Sequence, residues 1–335
     1  MKLRINRALA SVTFVIGSLL GSPTLAQNAY ITNGSFHSDS VSVIDTATNT
    51  VVATIPVGSV PYGVAVSFGG AKVYITNFSS GSVSVIDAVT NTVTATIPVG
   101  GNPFAVAVTP DGSKLYVTEP PGNTVSVIAP ALNSVITTIP VDSPEGVAVN
   151  PKGGSTYVAD FVSGAVSVIA TATDTVTTSI LVGGNPVGIA VTPLGDKVYV
   201  TNYATPTVSV IDTGTNAVTT TIPVGADPSG VAVSPDSRKV YVANFASNTV
   251  SVIDTATNAV SATIPVGSNP YGLSVTPDGD KVYVTNDIAP GTGTVSVIDT
   301  ATNTVTNTYC RWQWPPCLRR VHSTGAEICG DARVQ

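Results

Sequence analysis

Residues 188–224 alternate in a short, repeated rhythm. An apolar run, "GIAV", enters the polar turn "TPLGD". "KVYVTN" follows, then the loop "YATPT", then "VSVID", the turn "TGTNA" and "VTTTIPV". Each run is four to seven residues long and rich in Val, Ile, Thr and Tyr. Each break carries Gly, Pro, Asn or Asp, the residues whose backbone or side chain makes turns. The spacing predicts four short antiparallel strands in about 42 residues. No window shows the 3.6-residue period of a helix.

The rhythm recurs along nearly the whole chain. "YITN" at 30 returns as YITN at 74, YVTE at 116, YVAD at 157, YVTN at 199, YVAN at 241 and YVTN at 283. "VSVID" or "VSVIA" follows each, and "TIPVG" or a variant closes six of the seven units. Six times a Pro then leads into a run such as "GVAV". A repeat of this length that contains four strands predicts an all-β, seven-bladed β-propeller. The Gly and Ala of "GVAV" belong where blades converge on the axis and space is shortest. These motifs together resemble the YVTN-type β-propeller repeat family, over residues 30–306. The resemblance implies an exported or surface protein, with lactonases among more distant propellers.

Composition adjusts this picture. Of 335 residues, 43% are hydrophobic and 10% charged, with two His, three Cys and one Met. The first 26 residues read as a signal peptide. Lys2, Arg4 and Arg7 precede an apolar run from Ala8 to Leu20, too short to span a bilayer as a helix. Thr24 and Ala26 then stand at cleavage-site spacing. Cleavage after Ala26 and a periplasmic, secreted or cell-surface location are expected, with no integral membrane segment left in the mature chain. Residues 27–308 form the propeller and carry 18 acidic against 7 basic residues. That balance disfavours nucleic acid as a partner.

Residues 309–335 depart from the pattern. The first unit lacks its own "GVAV" strand, so a closing strand is expected from the C-terminus. The chain instead reads "YCRWQWPPCLRR". Read one base forward from Tyr309, degenerate codons permit "TIAVGNGPPAFGVFI", close to the consensus, so the tail is expected to be a frameshifted closing strand. The competing reading is a Cys-rich tail with one disulfide and one free thiol. In either case ring closure by the C-terminal strand is defective. Blade one then has an open edge, closed weakly or by a strand taken from elsewhere.

Candidate chemistry lies in departures from the repeat. The Asp that ends "VSVID" and the Lys before "YVTN" recur at fixed places and read as scaffold. With His37 and His322 alone, no Ser–His–Asp or Cys–His set can be assembled within the repeats. Catalytic residues are therefore assigned to none. In two adjacent blades the Asn of "YVTN" becomes Glu119 and Asp160. The intervening linker adds Asp142 and Glu145. Four carboxylates at one junction are a candidate cation site, with calcium the fitting ion, or a solvated acidic patch. On the same face Tyr62, Phe104 and Tyr271 follow the linker Pro, while Phe78, Phe161, Tyr203 and Phe245 follow the "YVTN" strand. Aromatics amid Asn and Ser suit a carbohydrate or protein partner, or simply pack loop against loop. The expected function is an exported binding or interaction module. The alternative is a lactonase-like or cation-dependent hydrolase using the loop face.

Overall fold

The computed structural model describes residues 12–14, 28–34, 39–289 and 292–310. His37, His322 and the tail from Arg311 onward lie outside them. Seven four-stranded antiparallel sheets form the blades. Blade one contains β1 (Val12–Phe14), β2 (Asn28–Asn33), β3 (Ser40–Asp45) and β4 (Thr50–Pro56). Blade two contains β5 (Pro61–Val66), β6 (Lys72–Asn77), β7 (Ser82–Asp87) and β8 (Thr92–Pro98). Blade three contains β9 (Val106–Val108), β10 (Leu115–Glu119), β11 (Thr124–Ala129) and β12 (Ser134–Pro140). Blade four contains β13 (Pro144–Val149), β14 (Ser155–Asp160), β15 (Ala165–Ala170) and β16 (Thr175–Leu181). Blade five contains β17 (Pro186–Val191), β18 (Lys197–Asn202), β19 (Thr207–Asp212) and β20 (Ala217–Pro223). Blade six contains β21 (Pro228–Val233), β22 (Lys239–Asn244), β23 (Thr249–Asp254) and β24 (Ala259–Pro265). Blade seven contains β25 (Pro270–Val275), β26 (Lys281–Ala289), β27 (Thr292–Asp299) and β28 (Thr304–Cys310).

The middle strands of each blade are buried on both faces, because neighbouring blades cover them. The "YVTN" Tyr residues Tyr30, Tyr116, Tyr199, Tyr241 and Tyr283 show no exposure at all. Apolar clusters run from blade to blade; one joins Tyr74 and Val85 of blade two to Val106 and Val117 of blade three. The outer strands are exposed and read as Thr-rich.

The turns are built as their residues require. Asp45 Oδ1 accepts the N–H groups of Ala47 and Thr48, both at 2.8 Å. Asp87, Asp212, Asp254 and Asp299 likewise each accept the N–H three residues on, at 2.8–2.9 Å. Each of these turns then places an Asn in the left-handed region, such as Asn49 at φ 54° and Asn303 at φ 55°. Asn tolerates that conformation better than a branched residue does.

The inner strands explain their glycines. A Cβ on Gly63 would stand 2.6 Å from the Phe104 carbonyl oxygen of the next blade. Gly146, Gly188 and Gly230 meet the next blade's backbone in the same way. The inner strands approach too closely for a side chain at that position.

Ring closure differs from that of the other joints. The inner position of blade one is held by β1, whose residues belong to the leading apolar run and not to the C-terminus. It lies between β25 of blade seven and β5 of blade two. The substitute strand thus comes from the segment that is expected, from its sequence, to be cleaved off. Side chains also close the ring: Lys281 Nζ donates to the Thr46 carbonyl at 2.8 Å, and Tyr283 Oη to Asn49 Oδ1 at 2.5 Å. Ala29, Ile31 and Ile44 of blade one pack with Tyr283, Val295 and Val297 of blade seven.

Candidate functional site

Antiparallel pairing puts the linkers between blades and the loops after each second strand on one face. Their backbones interlock there. Phe78 N–H donates to Val60 O, Phe161 to Ser143 O, Tyr203 to Asn185 O and Phe245 to Asp227 O, at 2.9–3.1 Å. Linker amides return the bond: Asn102 Nδ2 donates to Phe78 O and Asn185 Nδ2 to Phe161 O, both at 2.9 Å.

Five of the seven aromatics expected on this face come together. Tyr62, Phe104, Phe245 and Tyr271 cluster with Phe78. The Tyr62 and Phe104 ring centroids are 4.2 Å apart, and Tyr62 meets Tyr271 edge-on at 6.4 Å. Tyr62 and Tyr271 are buried, while Phe78, Phe104 and Phe245 are half-exposed. Phe161 and Tyr203 are half-buried and stand outside the cluster. The sequence placed these rings on one face, but it could not show that those of blades two and three meet those of blades six and seven.

Beneath the cluster the central channel holds a cavity of about 360 Å³. Its walls are the inner strands, with Val64, Val106, Val147, Ile189, Val231 and Leu273 among the lining residues. The polar groups of the lining are the hydroxyls of Ser229, Ser274 and Tyr271 and backbone amides. No Asp, Glu, His, Lys or Arg is among the described lining residues.

The second feature is a junction of acids. In most blades the "YVTN" Asn bridges two hydroxyls: Asn77 Nδ2 donates to Ser82 Oγ and Ser84 Oγ at 3.1 and 2.9 Å, and Asn202 Nδ2 to Thr207 Oγ1 and Ser209 Oγ at 3.0 Å each. Asn77, Asn202, Asn244 and Asn286 each pack against a Gly of the preceding linker; a Cβ on Gly58 would stand 2.7 Å from Asn77 Cγ. Glu119 keeps this structural role with the bond direction reversed. Its Oε1 accepts Ser126 Oγ–H at 2.5 Å, and its Oε2 accepts Gly101 N–H at 3.0 Å.

Asp160 is also buried, at 3% exposure. Oδ2 accepts Ser167 Oγ–H at 2.7 Å, while Oδ1 has no hydrogen-bond partner among the described residues. Burial pushes its pKa up to about 7, and the Asp142 charge adds to the rise. Asp142 is exposed and occupies the linker position held elsewhere by Gly. Glu145 is half-buried in β13, and its carbonyl accepts Thr118 Oγ1–H at 2.7 Å. Among the described residues no three His, Cys, Asp or Glu groups stand close enough to hold a metal ion. Glu119 instead spends both oxygens on a hydroxyl and a linker amide, and Asp160 spends one on a hydroxyl.

One set of residues escaped the sequence reading. The Thr of "YVTN" ties four of the blades to the next, through Thr32, Thr76, Thr118 and Thr201. Thr76 Oγ1 accepts Gly63 N–H at 2.7 Å within blade two and donates to Phe104 O at 2.7 Å in blade three. Thr201 does the same for Gly188 and Ser229, at 2.8 and 2.6 Å. The invariance of its position across five of the seven repeats was the available signal.

Comparisons with known proteins bear on the fold. The chain is similar to hydrazine synthase of Kuenenia stuttgartiensis, at 23% identity over 82% of this chain and 92% of that one, with a TM-score of 0.74. It is also similar to a functionally unknown protein of Desulfotomaculum acetoxidans, at 18% identity over 82% and 92%, with a TM-score of 0.71. The chain is a seven-bladed β-propeller. No family model matches it, and no curated protein does. At these identities the shared feature is the propeller itself.

Proposed function

We propose that this propeller is an exported binding module whose linker face engages a protein or glycan partner. One observation carries the reading: partly exposed rings, Phe78, Phe104 and Phe245, surround buried Tyr62 and Tyr271 at the channel mouth, amid Asn and Ser. Aromatic faces with adjacent amides and hydroxyls suit a sugar face or an apolar side chain. The cavity below offers hydroxyls and backbone amides among its described lining residues, which suit the binding of a polar group. The leading basic and apolar segment supports export. The motifs resemble those of YVTN-type surface propellers, which agrees with that location.

The test is an array of oligosaccharides and extended peptides, probed with the purified chain. Binding to one class is expected, and Phe104→Ala combined with Phe245→Ala should weaken it about tenfold or more at unchanged Tm. Failure to bind either class, or binding untouched by the pair, would refute the reading. Export is checked separately by mass spectrometry of the fractionated protein, which should begin at Gln27.

A further inference from the structure

The inner position of blade one is the single place where the ring is not filled by consecutive repeats. The other six blades show what it accepts. In each, the Tyr of the second strand faces a small residue flanked by apolar ones: Ala65 opposite Tyr74, Ala148 opposite Tyr157, Ala190 opposite Tyr199, Ser274 opposite Tyr283. In blade one, Thr13 stands opposite Tyr30, with Val12 opposite Ile31 and Phe14 opposite Ala29. Val12–Thr13–Phe14 thus takes the register of Val64–Ala65–Val66. It is held by strand pairing and by the two neighbouring inner strands, without a short linker such as the other inner strands have.

The chain's other end is a poorer fit. Cys310 pairs with Thr294 as Pro56 pairs with Ser40, so it stands at the end of the last outer strand. Eight residues separate Pro56 from Val64. The same spacing from Cys310 would assign Leu318, Arg319 and Arg320 to the places of Val64, Ala65 and Val66. Ala65 is only 7% exposed, and the described channel lining holds no acid. Burying two guanidinium groups without partners is costly.

We propose that this position is an exchangeable strand-acceptor site. In a chain cut after Ala26 it takes, by β-augmentation, an extended partner segment that reads apolar–small–apolar. The edge of β2 supplies the ladder, as in other strand-addition sites, and the walls of β5 and β25 select the side chains. The proposal rests on the export reading for the removal of β1. The site itself is tested whether or not export occurs. The ring survives the loss of β1 because Lys281, Tyr283 and the blade-seven to blade-one cluster still join its ends.

The probe is a synthetic peptide of residues 10–16, "ASVTFVI", labelled and flanked by lysines for solubility. Fluorescence anisotropy is measured with the full chain, with the chain beginning at Gln27, and with full-chain Thr13→Pro, in which the strand is displaced. The two opened proteins should bind it saturably at one-to-one stoichiometry, with Tm raised by several degrees. The full chain should bind about tenfold more weakly or less, and a Thr13→Pro peptide should not bind. Equal binding of the Pro peptide overturns the proposal, as does a Gln27 chain that ignores the peptide because its tail or a second copy fills the position. If an opened protein fails to fold, the peptide must restore folding; no restoration also overturns it. Loss of peptide binding with normal processing at Gln27 indicts the site and not the export reading.

Discussion

Asp160 shows how one atom changes the behaviour of a repeat. An acid whose folded pKa is raised to about 7 is most favourable when protonated, so its burial is tolerated below its ordinary range near 3.8. As pH rises from there through 7, the folded state must either bind a proton or bury a charge, and stability falls. The cost at alkaline pH is on the order of a few kcal/mol. Asp160→Asn supplies the residue that other blades carry, with an N–H for Ser167. It should raise Tm by several degrees at pH 8 and leave it unchanged near pH 4, measured by thermal unfolding across that range. An equal effect at both pH values would exclude titration of Asp160 as the cause. The sequence marked Asp160 as a departure from its repeat. It did not reveal the burial, which depends on the neighbouring blade lying over it. Nor did it show that Glu119, at the same position one blade earlier, finds donors for both oxygens while Asp160 finds one.

Strands are joined across blades by a side chain that a strand pattern reads as merely β-branched. Two blades lack the Thr, having Ala159 and Ala243 instead. In blade six Ser229 takes over: its Oγ lies 3.1 Å from both Pro270 O and Tyr271 O, in the next blade. Ser229→Ala should therefore cost about 1 kcal/mol, the worth of one buried hydrogen bond. Ala243→Thr should recover most of that loss in the Ser229→Ala background but add little to the wild type. Chemical denaturation of all four proteins gives the coupling; strictly additive effects would show that the two positions do not share the task. This exchange was invisible in the sequence because Ser229 and Ala243 lie 14 residues apart and come together, beside the backbone of blade seven, only when the blade folds.

The whole ring has one joint unlike the rest. Blades two to seven follow each other through short linkers, whereas blade seven meets blade one through side chains and a strand from the far end of the chain. Lys281→Met with Tyr283→Phe should therefore lower stability more than the equivalent pair at an internal joint. That pair is Lys114→Met with Tyr116→Phe, even though Lys114 there forms an ion pair with Asp174 at 2.8 Å. Hydrogen exchange should show β2 to β4 and β28 opening first in the Lys281/Tyr283 variant. Equal losses at both joints would mean that the ring closes as firmly as it continues.

Local signals carried most of the architecture. Seven repeats of four strands, the Asp and Asn of the turns, the glycines at the axis and the missing inner strand of blade one could all be read from spacing and residue type, because each depends on neighbours close in sequence or on strict periodicity. Which segment fills the empty position could not be read. The leading run carried a complete and sufficient reading as a targeting signal, and nothing in its order says that Val-Thr-Phe matches the register of Val-Ala-Val. That match exists only once the ring brings β2, β5 and β25 around one vacancy, 14 residues of chain away from Phe14. The same holds for the aromatic mouth and for the buried acid: their chemistry is set by curvature and by the next blade, which no local pattern encodes.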